Sequence, residues 1–440
     1  MKRLIGLACL LLLAVAAPAR AEVAVTEVRG PESGVTAWLV EDRTAPVVSL
    51  ALAFTGGAAL DPAEKAGRAR LLAGTLDEGA GELSSPAFRK ALEDDSIELS
   101  FSARRDEFSG QLKTLAERRD RAFELLGLAL SQPRFDADPV ARVKSQILAA
   151  LERDAEDPQT LAMRRLMAEL FKGHPYARPT AGTPETVADL NRDDLLAAAR
   201  ATLVRDRLLV TVVGAITPAE LAPLLDVAFA DLPETAPQQA PVPDTTPRPP
   251  ASPEQATVHI AKDLPQAVAA FAQPGIRRDD PDWYAAYVLN YILGGGGFSS
   301  RLMQTVRVDN GLAYSVYSYL YPFDHAALWL GGVATSADRI DRSLDLIREE
   351  WRKMAENGPT ATELADAKTY LTGAWALRFT STDGIAGLLL AARREGLGED
   401  YVNRRNDFIE AVTLGDLKRL AARHLDADQV LTVVVGPKAQ

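Results

Sequence analysis

Alternation of apolar and polar positions marks the strands of this chain, and a wider apolar spacing marks its helices. Residues 35–41 and 47–54 are rich in the β-branched and aliphatic residues of half-buried strands. The spacing then predicts helices over 63–76 and 86–93, followed by two alternating strands at 97–103 and 107–114. Long amphipathic helices come next, and the apolar run 208–213 closes the unit. Neighbouring strands with short turns pair antiparallel, and strands and helices kept in separate runs build α+β layers with helices on one sheet face.

The pattern then repeats. Asp194-Leu195 leads through an alanine-rich helix to Leu208-Leu209-Val210-Thr211-Val212-Val213-Gly214. Asp416-Leu417 leads in the same way to Val430-Leu431-Thr432-Val433-Val434-Val435-Gly436, offset by 222. Arg119-Asp120-Arg121 and Ile340-Asp341-Arg342 each open an amphipathic helix at an offset of 221, and Asp61-Pro62 and Asp280-Pro281 precede helices at an offset of 219. Three matches in one order at nearly one offset indicate a duplicated domain. Between the copies, residues 233–253 hold eight prolines in 21 positions, which neither pair as a central strand nor continue a helix. The expected layout is a signal peptide at 1–21, an N-terminal half at 22–232, a Pro-rich linker at 233–253 and a C-terminal half at 254–440. Two such units can close as a clamshell around a central cleft.

Composition narrows the setting. Lys2 and Arg3, the apolar stretch 4–17 and Ala19-Arg20-Ala21 form a secretory signal, so the chain is expected to be exported, to the periplasm where the cell has two membranes. The apolar run is short for a membrane span, and no later segment is long and apolar enough for one. The one cysteine, Cys9, lies in that leader, which excludes disulfides and thiolate metal sites from the rest. Net charge is −11, and −14 once Lys2, Arg3 and Arg20 leave with the leader. Such a balance disfavours nucleic acid and anionic lipid as partners.

The most specific motif lies in the second half: Leu293-Gly294-Gly295-Gly296-Gly297-Phe298-Ser299-Ser300-Arg301-Leu302, continuing through Val306-Arg307-Val308-Asp309-Asn310-Gly311-Leu312-Ala313-Tyr314-Ser315-Val316. In the first half, Gly173-His174-Pro175-Tyr176-Ala177-Arg178-Pro179 is followed by Gly182-Thr183. Together with the duplication and the linker, these stretches resemble the pitrilysin/insulinase family of zinc metallopeptidases, which includes mitochondrial processing peptidase. The resemblance runs over essentially the whole chain after the leader.

In that family an inverted zinc motif, H-x-x-E-H, lies on the first helix of the N-terminal half. Its two histidines bind zinc from one helix face and its glutamate activates water. The resemblance aligns those three positions with Arg70, Ala73 and Gly74, and the third ligand, a glutamate further along, with Val143 or a residue or two from it. A guanidinium stays protonated and has no lone pair for a metal, and Ala, Gly and Val supply neither ligand nor base. No metal is therefore expected in this chain. Nothing else in the sequence substitutes. The histidines His174, His259, His325 and His424 have no partner at ligand spacing, and His174 reads as a local turn contact. Asp77-Glu78 reads as a solvated helix end. Neither a G-x-S-x-G elbow nor a complete phosphate loop is present.

What the resemblance does retain is an arginine–tyrosine pair, Arg307 and Tyr314. Residues 299–308 read as a short helix, Asp309-Asn310-Gly311 as a turn and 312–319 as a strand, so the two side chains can converge. From spacing alone, Arg307 caps a helix end and Tyr314 fills a core position. Within the resemblance, they bind peptide backbone and stabilise an oxyanion, without activating water. Tyr317, Tyr319 and Tyr321 alternate on one strand face and read as core or sheet surface. Gly294, Gly295, Gly296 and Gly297 either let a substrate backbone approach or form a flexible helix connection.

Two functions follow. The first is a non-catalytic, substrate-binding subunit of an exported heteromeric zinc metallopeptidase, whose homologous zinc-bearing partner supplies metal and base while Arg307 and Tyr314 act on a peptide or unfolded polypeptide docked along a sheet edge. The alternative is a peptide-binding or scaffold pseudoenzyme with no role in proteolysis.

Overall fold

The structure, a computed structural model, describes residues 23–237 and 240–437. The leader expected at 1–21, with Cys9, lies outside the described residues, as do Gln238 and Gln239 in the linker. Among the described residues, eleven strands form two sheets. The first contains β1 (Thr26–Arg29), β2 (Thr36–Glu41), β3 (Val47–Thr55), β4 (Glu98–Ala103), β5 (Glu107–Leu115) and β6 (Leu208–Gly214). The second contains β7 (Thr257–Ala261), β8 (Gln266–Pro274), β9 (Ala313–Pro322), β10 (Ala327–Ser336) and β11 (Leu431–Gly436).

Strand order makes the duplication explicit. The first sheet runs β1-β2-β6-β3-β5-β4 and the second β7-β11-β8-β10-β9. Removing the extra edge strand β1 leaves the same path in both. Among the described residues the parallel pairs, β2 with β6 and β7 with β11, are equivalent, and every other pairing is antiparallel. In both sheets the last hairpin leaves an open edge, β4 in one and β9 in the other.

Alternation along each strand feeds two different cores. In the first sheet Leu39, Leu50, Leu52, Val210 and Val212 face helices of their own half. Trp38, Val40, Ala51, Ala53 and Val213 face the other way, against Ile385, Ala386, Leu389 and Leu390 of the helix Thr382–Arg394 from the opposite half. The second sheet mirrors this. Ala269, Phe271, Trp329 and Val434 meet their own helices, whereas Ala270, Ala272, Leu330 and Val433 meet Ala162, Leu166, Met167 and Leu170 of the helix Pro158–Leu170 from the first half. Each half thus packs its own helices on one sheet face and lends one helix to the other half's outer face. Polar ties fix the exchange: Thr211 Oγ1 donates to the Ala386 carbonyl at 2.8 Å, and Gln159 Nε2 to the Tyr317 hydroxyl at 3.1 Å.

Local structure departs from the sequence reading in three places. The helix expected over 63–76 is broken: a 3-10 turn at Ala63–Lys65 is followed by a short α-helix, Arg68–Ala73, because Gly67 takes φ +94°. No side chain caps that helix at Gly67. Instead the Asp61 carboxylate accepts the Ala69 N–H at 3.1 Å, and burial pushes the Asp61 carboxyl up to about 6. Residues 299–308 form not an α-helix but a 3-10 turn at Gly297–Ser299 and a π-helix at Met303–Asp309. The third departure is Glu78. It is no solvated helix end but 4 % exposed, buried beneath the cleft described next.

Candidate functional site: a cleft at the degenerate metal position

The helix Arg68–Ala73 runs beneath an open cleft of about 720 Å³. Arg70, Ala73 and Gly74 line one wall, Val143 and Ile147 of the helix Ala137–Asp154 another, and Ser100, Phe101 and Ala103 of the edge strand β4 a third. The four positions that the resemblance assigns to metal ligands and base are therefore brought to one place by two helices. Ala73 and Val143 are buried there, while Arg70 is exposed. A Cβ built at Gly74 would stand 2.8 Å from Val143 Cγ1, so the space a second ligand side chain needs is already filled. These residues do not fit a zinc ion. Among the described residues no group of three or more His, Cys, Asp or Glu side chains is placed to hold a metal.

In place of metal chemistry the cleft carries arginines, a feature that sequence reasoning missed. Arg89 from the helix Ser85–Asp94 and Arg142 from the helix Ala137–Asp154 both donate to the Glu78 carboxylate, and Ser85 Oγ donates to it at 2.6 Å. Burial acts to raise the Glu78 carboxyl, but the donors from Arg142, Ser85 and Arg89 outweigh it and hold the group below the usual carboxylate range. Arg70 and Arg153 complete the cationic lining. The sequence signal was the Asp77-Glu78 pair itself. Its reading depended on which of the two carboxylates turned inward, and local spacing does not decide that.

Arg307 and Tyr314 converge as expected, though not on this cleft, whose walls all come from the first half. Arg307 leaves the π-helix Met303–Asp309 and donates from Nη1 to the Tyr314 carbonyl at 2.6 Å. Its guanidinium lies over two rings, Phe298 and Tyr314, each centroid 4.7 Å away. Tyr314 is 80 % exposed and Phe298 59 %, so the group stands out from the start of the edge strand β9 rather than in the core.

The four glycines do not act alike. A Cβ at Gly294 would run into Ser318 of β9, at Gly295 into Asn290 and at Gly296 into Tyr291. These three let a tight π-helical turn, Tyr291–Gly295, and its end pack on their neighbours. Gly297, at φ +57° with no atom within 4 Å of such a Cβ, is the position that leaves open backbone beside Phe298. Asn290 secures the turn: its Oδ1 accepts from Ser318 Oγ and Trp329 Nε1, both at 2.8 Å. His174 is a turn residue. Its Nδ1 accepts the Tyr176 N–H at 3.1 Å and its Nε2 lies 2.8 Å from the Pro243 carbonyl of the linker. Tyr317 and Tyr319 stack at 6.0 Å, and Tyr319 packs in the core built around the helix Pro158–Leu170.

Comparison with known proteins places this geometry. The family model for insulinase (peptidase family M16) matches residues 36–184, and that for the peptidase M16 inactive domain matches 189–371. The non-peptidase homolog YmxG of Helicobacter pylori is 31 % identical over 399 residues, covering 90 % of this chain and 91 % of that protein. The chain belongs to the insulinase (M16) family. An uncharacterized zinc protease of Bacillus subtilis, also called YmxG, is 26 % identical over 329 residues, covering 73 % and 76 % of the two chains. The crystal structure of a peptidase M16 inactive domain from Pseudomonas fluorescens aligns over 95 % of this chain and 98 % of its own, with a TM-score of 0.86 and 29 % identity. Within the M16 family this chain is a non-peptidase homologue. Its duplicated fold is intact, and the residues at the positions the resemblance aligns with metal ligands, Arg70, Ala73, Gly74 and Val143, offer none.

Proposed function

We propose that the chain is the non-catalytic, substrate-binding subunit of an exported, heteromeric zinc metallopeptidase. The observation that carries this reading is the contrast at one site. The four metal and base positions hold Arg70, Ala73, Gly74 and Val143, yet the cleft above them and the open strand edge beside it persist. An extended peptide can add to such an edge through main-chain hydrogen bonds without any metal. Tyr314 stands exposed on the second half, and the half-buried Arg307 lies beside it over the exposed Phe298 and Tyr314 rings, so the pair can meet a site on another chain. There the guanidinium fork would hold a peptide carbonyl, and the tyrosine hydroxyl would donate to the oxyanion as the carbonyl is attacked. Gly297 would let the substrate backbone pass close to the same group. A homologous M16 chain bearing the intact motif would supply zinc and the base, and the leader at 1–21 would send this chain to the periplasm beside it.

The test is reconstitution with a zinc-bearing homologue from the same cell. The mixture is expected to cleave unstructured peptides when neither chain does so alone. Arg307→Ala should lower turnover by about 10²-fold, the scale of losing one oxyanion donor, while the complex still forms on a sizing column. Unchanged turnover removes the catalytic role of the pair. One observation favours the second reading, a peptide-binding scaffold outside proteolysis: Arg307 already spends a donor on the Tyr314 carbonyl. That reading predicts peptide affinity with no zinc-dependent cleavage in any mixture.

A further inference from the structure

The cleft is cationic inside an acidic protein, whose net charge is −11. Two of its three carboxylates are already committed. Glu78 is shared by Arg89 and Arg142, and Asp154 pairs with Arg164 at 3.1 Å. The third, Asp77, is half-buried; burial raises its carboxyl, against its own backbone N–H and the nearby Arg89 and Arg142, which lower it. The cations are not committed to the same degree. A guanidinium has five N–H donors. Arg89 and Arg142 give one each to Glu78 and remain 48 % and 41 % exposed. Arg70 and Arg153 form no side-chain hydrogen bond or ion pair with any described residue. Four guanidinium groups and three carboxylates line the cleft, so positive charge is in excess there, and Arg70 and Arg153 carry it unpaired among the described residues.

We infer that this cleft recognises a carboxylate carried by an extended peptide, either an acidic side chain or a free C-terminus, through Arg70 and Arg153, with Arg89 and Arg142 reinforcing the field. The inference rests on the peptide-binding part of the proposed function and assigns it a ligand chemistry. Arg suits the role because its planar fork matches a carboxylate in two parallel hydrogen bonds. The edge of β4 would fix the peptide main chain, so the charge contact selects among peptides rather than holding one alone. At the position that the resemblance aligns with a metal ligand, Arg70 thus offers anion recognition instead.

Fluorescence anisotropy with the purified chain tests this on four labelled peptides of one extended sequence: a central Glu-x-Glu or Gln-x-Gln, each with a C-terminal acid or amide. On the unsubstituted chain, the peptide carrying the recognised carboxylate should bind about tenfold more tightly than its neutral counterpart, the scale of one charge-assisted contact. A Glu-dependent gain identifies the side chain as the source, and an acid-over-amide gain identifies the C-terminus. The double variant Arg70→Gln/Arg153→Gln should erase the gain and leave the neutral amide peptide's affinity unchanged. Its melting temperature should stay near the parent's, since neither side chain has a partner to lose. Equal affinity for all four peptides overturns the anion inference but leaves peptide binding standing. A preference that survives the double variant overturns the assignment to this cleft. Absence of binding to every peptide overturns both the inference and the reading beneath it.

Discussion

At the residue scale, the positions that the resemblance aligns with metal ligands are also a packing contact. Gly74 and Val143 sit against each other where two side chains would otherwise converge on an ion. Gly74→Ala gains helix propensity, but its Cβ meets a buried, β-branched side chain that has little freedom to turn. Thermal unfolding should show a cost of about 1–2 kcal/mol, relieved when Val143→Ala is added; additive effects would sink this account of the pair. Glu78 poses the complementary case. Removing its charge leaves Arg89 and Arg142 facing each other across a neutral amide, and Glu78→Gln should cost about 2–3 kcal/mol in denaturant unfolding. Arg70, Ala73 and Gly74 were legible because the family resemblance aligns them with metal positions, and what each side chain can ligate is a property of the residue alone. The burial of Glu78 was not legible, because it depends on a helix, Ala137–Asp154, more than fifty residues further along.

At the element scale, the decisive features are ends and turns rather than lengths. The helix Arg68–Ala73 is short because Gly67 and Asp61 make its start, with no local capping side chain to announce it. On the second half, the stretch leading to Arg307 is anchored by Arg301, whose Nε and Nη2 donate to the two Glu363 oxygens at 2.6 and 2.8 Å. Burial opposes the Glu363 charge, but the Arg301 and Thr360 donors prevail, and the carboxyl falls from 4.5 to about 2. A carboxyl depressed in this way stabilises the fold above its unfolded value and loses that contribution as pH falls through its folded value. The stability difference between the parent and Glu363→Gln should therefore be about 1–2 kcal/mol near neutral pH and close between pH 4.5 and 2. A difference that stays constant across this window contradicts the assignment. The strands β2 to β6 were read to within a residue, since their apolar positions report burial directly, whereas β1, β7, β8 and β10 were not placed. The π-helix was not, because its wider turn answers to the packing of Leu302, Met303 and Val306 against neighbouring elements.

At the scale of the whole molecule, the two halves are not beads on a linker. Each contributes a helix to the other's sheet, so neither sheet is covered on both faces without the opposite half. Leu166 and Leu389, both fully buried, are the centres of these exchanged contacts. Leu166→Ala and Leu389→Ala should each lower stability by about 2–5 kcal/mol, and calorimetry should show one cooperative transition that shifts as a unit in both variants. Two transitions, of which only one moves, would mean that the halves fold independently. The buried Tyr176 hydroxyl reinforces the junction: it donates to Asp106 at 2.8 Å and accepts the His325 N–H from the β9–β10 turn at 3.1 Å. Domain duplication was legible in the offsets, but nothing in a one-dimensional pattern says which half an apolar helix face will cover.

By itself the sequence determined most strands of the first half, the repeat, and what Arg70, Ala73, Gly74 and Val143 can offer at the positions the family resemblance aligns with a metal site. These follow from short-range spacing and from what each side chain can donate or accept. Only the tertiary structure decided that the halves exchange helices, that Glu78 lies buried under a ring of arginines, and that Arg307 and Tyr314 stand on an outer edge away from the degenerate cleft. Those facts depend on elements far apart in the chain meeting in space. Burial, charge neutralisation and access are properties of that meeting, and no residue carries them alone.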